Sequence, residues 1–136
     1  MANELMNGAS LAQAIDRAAS WGEQQYQNAE AFREFWPLFQ FVSSEKLAAM
    51  EETEIKSSGY VVDTFQASLW CLMTTNSYAD CVLKAVNLGS DTDTVGAVAG
   101  SLAGILYGVE SIPAEWLKVL AKKEEIIELC ENFLSA

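Results

Sequence analysis

Asp91, Asp93 and Thr94 are the residues of this sequence best suited to chemistry. Two carboxylates one residue apart, with a hydroxyl beside them, supply the hard oxygen donors that Mg2+, Mn2+ or Ca2+ prefer. They stand in the run Asn87-Leu88-Gly89-Ser90-Asp91-Thr92-Asp93-Thr94-Val95-Gly96-Ala97-Val98-Ala99-Gly100, where a Gly-Ser turn feeds a helix of small apolar residues. The same residue types suit the start of any helix, because Asp and Thr side chains accept from its free backbone N–H groups and acids are favoured by its dipole. Residue chemistry alone leaves both readings open: a metal ligand set, or a capped first turn.

The elements that must hold this turn are helical. Glycines at 96, 100, 104 and 108 fall four apart and so on one helix face. Each costs roughly 1 kcal/mol against Ala in a helix interior, so the row points to a smooth groove that another backbone approaches closely, holding the Asp91 turn rigid. Upstream, Leu5 and Met6 read as the tail of a preceding helix, and Ser10 as the N-cap of the next, with Leu11, Ala14, Ile15, Ala18 and Ala19 at helical spacing. Trp21, Tyr26, Phe32, Phe35, Trp36, Phe39 and Phe41 could line a ligand pocket but at mixed helical spacing read first as core, with Pro37 ending or kinking any helix there. Ser43-Ser44-Glu45-Lys46 opens a short helix to about Glu52, and Ser57-Ser58-Gly59-Tyr60 breaks the chain before a buried helix from Val61 to about Thr74. Ser77-Tyr78-Ala79-Asp80 caps a helix that stops at Gly89, and Pro113 suits the first turn of another. The last helix, Glu124 to Leu134, carries an apolar face of Ile126, Ile127, Leu129, Cys130, Phe133 and Leu134. No stretch alternates as a strand would. The reading is all-α, a single helical domain over residues 1–136.

Composition narrows the function classes. Eight basic against nineteen acidic residues give a formal charge of −11, a surface that repels nucleic-acid phosphates and anionic lipid headgroups and favours cations or basic partners. The apolar run around 95–109 is broken by Gly and Ser and lacks basic flanks, so it reads as a buried helix, not a membrane span. The opening Met1-Ala2-Asn3-Glu4 has neither a basic nor a long apolar segment, so no secretory signal is expected. Cys71, Cys81 and Cys130, each in an apolar helical pattern, read as reduced core thiols of a cytoplasmic protein. The sequence has no histidine, which removes His-based triads and the usual zinc sites.

Asn-Leu-Gly-x-Asp-Thr-Asp-Thr-x-Gly-Ala followed by a small-residue helix closely resembles the C-terminal metal motif of the ADP-ribosylglycohydrolase family. The resemblance is strongest from Ser57 to Trp116 and weaker from Gly8 to Glu54, and it covers the C-terminal half of a full family member. It implies a compact multi-helix orthogonal bundle. Asp91, Asp93 and Thr94 are then ligands to Mg2+ (or Mn2+), and ADP-ribose or an ADP-ribosylated protein is the partner. It also implies that Gly59 and Tyr60, in a Ser-Gly-Tyr-Val-x-x-Thr segment near the adenosine end of ADP-ribose, and Asn87, Gly89 and Ser90 touch the substrate. Two departures stand out. Family members commonly have a second Gly where this chain has Ser90. The Thr/Ser-Asp-Asp cluster that supplies the other metal ligands is absent, since no Asp-Asp pair occurs anywhere in the sequence. No catalytic acid or base is assigned.

The resemblance implies metal-dependent hydrolysis of the N- or O-glycosidic bond between ADP-ribose and a protein side chain, once a missing N-terminal half completes the site. The alternative is a non-catalytic ADP-ribose-binding or oligomeric scaffold module of the same descent. Either way the chain is expected to associate, with a complementing half or as a homo-oligomer.

Overall fold

The computed structural model describes residues 1–135, without the side chain of Leu134. Eight α-helices form among them: α1 (Ala2–Met6), α2 (Leu11–Asn28), α3 (Ser44–Ala49), α4 (Val61–Met73), α5 (Tyr78–Asn87), α6 (Thr92–Tyr107), α7 (Ala114–Val119) and α8 (Lys123–Leu134). Short 3-10 turns fill Arg33–Phe39, Glu52–Glu54 and Val109–Ser111. No strand forms among the described residues, in line with the all-α reading.

The centre is a three-helix unit in which α6 packs most extensively on α5 and then on α4. Helix α4 is apolar on nearly every face, and from Ala67 to Leu72 every side chain is buried, as expected of a helix enclosed by others. Leu69, Leu72, Val95, Cys71 and Cys81 meet Ile15 and Leu47 in the core. Each large aliphatic side chain buried there contributes about 1.5–3 kcal/mol relative to exposure. Trp70 fixes the flanks of α4: its indole N–H donates to the Met50 carbonyl oxygen at 3.0 Å, and the Lys84 ammonium sits 3.7 Å from the ring centroid.

The capping signals position these helices. Ser10 and Gln13 form a reciprocal capping box at α2, and the Ser77 hydroxyl accepts from the Asp80 N–H at 3.1 Å. Helix α3 is capped from a distance: Asp16 of α2 accepts from the Ser44 N–H and the Ser44 hydroxyl, both at 2.8 Å. Leu5 and Met6 end the short helix α1, with Leu5 buried and Met6 exposed.

The glycine groove differs from expectation. A Cβ on Gly96 would lie 3.1 Å from Val86 Cγ1, and one on Gly100 would lie 3.4 Å from Val82 Cγ2. Side chains of α5, not a backbone, therefore fill the row. Gly108 is outside it, because its φ of +82° ends α6.

The aromatic segment departs further. Pro37 sits inside a 3-10 turn, since its fixed φ and missing N–H suit a short turn better than an α-helix. Tyr26, Trp36, Phe39 and Phe65 stack around an open cavity of about 400 Å³, and Trp21, Phe32 and Phe35 face outward instead of forming core. The C-terminal helix is likewise uncovered. Ile126, Ile127, Leu129 and Phe133 are exposed, and Cys130 is a surface thiol, not a core one. Leu134, assigned to the same face, lies outside the described side chains.

Candidate metal and substrate site

Asp91 is the N-cap of α6 by position, its carbonyl accepting from the Val95 N–H at 3.2 Å. Its carboxylate does not cap the helix. Instead Oδ1 accepts from the Thr94 hydroxyl at 2.9 Å. That bond uses the hydroxyl proton and leaves the oxygen's lone pairs free, so Thr94 can act as an oxygen donor beside Asp91. Asp93, one residue on, is exposed. Its carboxyl is held below the usual carboxylate range by a hydrogen bond with Asp91, which requires one proton shared between the two carboxyls, and then by the backbone N–H groups of Asp93 and Thr94. The Asp91, Asp93 and Thr94 oxygens therefore converge at one helix end.

The turn feeding them is left-handed twice over, with φ of 85° at Gly89 and 58° at Ser90. Gly89 adopts this freely, whereas at Ser90 it costs about 1 kcal/mol or more. Ser90 thus keeps a backbone shape suited to glycine, with its side chain in solvent.

A second loop lies against this turn. The buried Ser57 hydroxyl donates to the Gly89 carbonyl oxygen at 2.7 Å, and the Ser57 carbonyl accepts from the Asp91 N–H at 2.9 Å. Gly59 faces Asp91, since a Cβ there would lie 3.1 Å from Oδ2. Ser58 ties this loop to the start of α4: its hydroxyl donates to Asp63 Oδ2 at 2.6 Å and accepts from the Tyr60 N–H at 3.1 Å, while its carbonyl accepts from the Thr64 hydroxyl. Tyr60 precedes α4 with half its surface open to solvent.

The structure brings Gly59, Tyr60, Gly89, Ser90, Asp91, Asp93 and Thr94 to one end of the bundle. Asn87 fits less well: its amide donates back to the Leu83 carbonyl at 2.7 Å, on its own helix.

The ADP-ribosylglycohydrolase family model matches residues 1–136. The chain belongs to the ADP-ribosylglycohydrolase family. An ADP-ribosylarginine hydrolase Tri1 of Pseudomonas putida is 36% identical over 122 residues, 90% of this chain and 33% of that protein. A Tri1 of Serratia proteamaculans is 47% identical over 79 residues, 58% of this chain and 22% of its own. The ADP-ribosyl-dinitrogen reductase glycohydrolase of Rhodospirillum rubrum is 47% identical over 70 residues, 52% of this chain and 24% of its own. The chain thus spans a third or less of the length of these relatives.

ADP-ribosylglycohydrolase membership makes a divalent cation the group to test against these residues. The donor chemistry fits, because Mg2+ commonly takes one or two carboxylates and completes its shell with water or phosphate oxygens. The ligand number is small. Among the described residues no three His, Cys, Asp or Glu side chains converge on a metal-sized space. Sequence reasoning missed Ser57, which joins the two loops across 32 residues. Its partners lie more than thirty residues away, so no local pattern marks it.

Proposed function

We propose that this chain carries one half of an ADP-ribosylglycohydrolase site: it binds ADP-ribose on an ADP-ribosylated protein and contributes to hydrolysis of the glycosidic bond when the rest of the site is supplied. One observation carries this reading. The loop from Ser57 to Tyr60 is hydrogen-bonded through Ser57 to the backbone of Gly89 and Asp91, and so lies against the turn that carries Asp91 and Asp93 into α6.

Asp91, Asp93 and Thr94 would hold a Mg2+ or Mn2+ ion, which when bound polarises hydroxyl oxygens and makes its water more acidic. The protein's own groups bind and orient. The Asp93 carboxyl is held below its ordinary value, the Thr94 hydroxyl is aimed by Asp91, and Gly59 of the neighbouring loop faces Asp91 Oδ2. No residue here is assigned as the acid or base of the reaction. The exposed apolar side chains of α8 support association with a completing segment or a second copy. The buried free thiols Cys71 and Cys81 support a reducing, cytoplasmic setting.

Calorimetric titration with ADP-ribose, with and without Mg2+, tests the reading, using Asp91→Ala as control. Binding that needs the metal and is lost in the variant is the expected result. Binding indifferent to both overturns the metal half-site and leaves a binding module.

A further inference from the structure

We propose that Ser57 is the positioning residue for the Asp91 carboxylate; this rests on the metal half-site reading above. Every hydrogen bond between the Ser57–Tyr60 loop and the Leu88–Thr94 segment, among the described residues, runs through Ser57. Its hydroxyl donates to the Gly89 carbonyl oxygen at 2.7 Å, with the Leu88 carbonyl oxygen 3.5 Å away. Its own carbonyl takes the Asp91 N–H at 2.9 Å. One buried residue therefore grips both ends of the turn from Gly89 to Asp91. That turn needs the grip, because Gly89 and Ser90 are consecutive left-handed residues and no helix or sheet ladder holds them.

The other end of the clamp is anchored on α4. Ser58 is bonded to Asp63, Thr64 and Tyr60, so the loop cannot follow the turn if the turn drifts. The position of the Asp91 oxygens is thereby referred to the most buried helix of the fold. Partners of this kind behind metal ligands commonly govern affinity by about tenfold to hundredfold.

The test compares the full chain with Ser57→Ala, Ser57→Thr and Thr75→Val. The last removes a part-buried hydroxyl that donates to the Cys71 carbonyl, far from the turn. Two readouts are taken: Mn2+ affinity, and amide hydrogen exchange at Asp91 in the absence of metal. Ser57→Ala is expected to weaken Mn2+ binding and to speed Asp91 exchange, each by about tenfold or more. Core amides of α4 should exchange as before, Ser57→Thr should restore both readouts, and Thr75→Val should change neither. Unchanged Asp91 exchange and unchanged Mn2+ affinity in Ser57→Ala would overturn the assignment. If the unsubstituted chain binds no Mn2+, the half-site reading fails, and the exchange rate alone decides whether Ser57 holds the turn.

Discussion

Gly59 lies so close to Asp91 that a methyl group added to it would stand 3.1 Å from the carboxylate Oδ2. The atom in the way is the end of a side chain that can swing aside, so the fold should tolerate Gly59→Ala. The carboxylate would not keep its place. Mn2+ affinity should fall by about tenfold while the thermal midpoint shifts by only ~1–2 °C, since a surface substitution rarely costs more than ~0.5 kcal/mol. Isothermal titration beside a melting curve reads both quantities, and an unchanged affinity would show that the methyl is absorbed elsewhere.

The glycines of α6 should separate by role. A Cβ on Gly104 meets nothing nearer than Tyr78 Cε2 at 3.9 Å. Gly104→Ala should therefore recover the helix-propensity penalty and raise stability by about 0.5–1 kcal/mol. Gly108, at φ +82° and ψ 160°, occupies a region closed to other residues. Gly108→Ala should cost about 1–3 kcal/mol. Urea denaturation of the two variants should move the midpoint in opposite directions.

The difference between these glycines marks what a sequence can display. Spacing of four placed Gly96, Gly100, Gly104 and Gly108 in one row, because periodicity ignores where a helix stops. The α4–α6 unit was legible because local signals agree: apolar spacing, the Ser77 cap and the Gly89 stop. Asp91, Asp93 and Thr94 were legible by family pattern, and the structure sets them in the first turn of α6, with the Thr94 hydroxyl on Asp91. Ser57 was not, because its partners lie more than thirty residues away. The exposure of Trp21, Phe32, Phe35 and Cys130 was not legible for a different reason. Hydrophobic spacing reports which face wants cover, and among the described residues the aromatic face is covered only in part while the α8 face stays exposed.

Asp93 should leave a mark on acid stability. Its folded carboxyl titrates below the ordinary value of 3.8, held by the Asp91 hydrogen bond and by backbone N–H groups. A depressed folded value favours the native state while the group is ionised. The contribution is present above about pH 4 and is lost as pH falls through the folded value. Asp93→Asn in metal-free buffer should show a shallower acid limb than the unsubstituted chain. Carbon-13 titration of the Asp93 carboxyl gives the folded value directly, and a value at or above 3.8 would contradict this account.

The thiols should split in the alkaline range. Burial, helped by the neighbouring Cys81, pushes Cys71 from 9.0 up to about 12, and burial raises Cys81 as well. These groups favour the folded state while protonated, so their contribution is complete below about pH 9 and is lost as pH rises toward 12. A disulfide reagent at pH 8 should titrate a single thiol, Cys130, in the native protein and all three after denaturation. Rapid native reaction of two or three would show that the core is open.

Helix α8 follows a left-handed residue, Lys122 with φ 57°, and among the described residues makes only marginal contact with the other helices. Twelve residues is near the shortest length at which a helix persists unaided in water. The molecule is therefore two thermodynamic units on one chain, a cooperative body centred on α4–α6 and a tail governed by helix–coil equilibrium. On heating, far-UV ellipticity should drift downward well before the near-UV signal of Trp70 collapses, and the early loss should be broad where the later one is sharp.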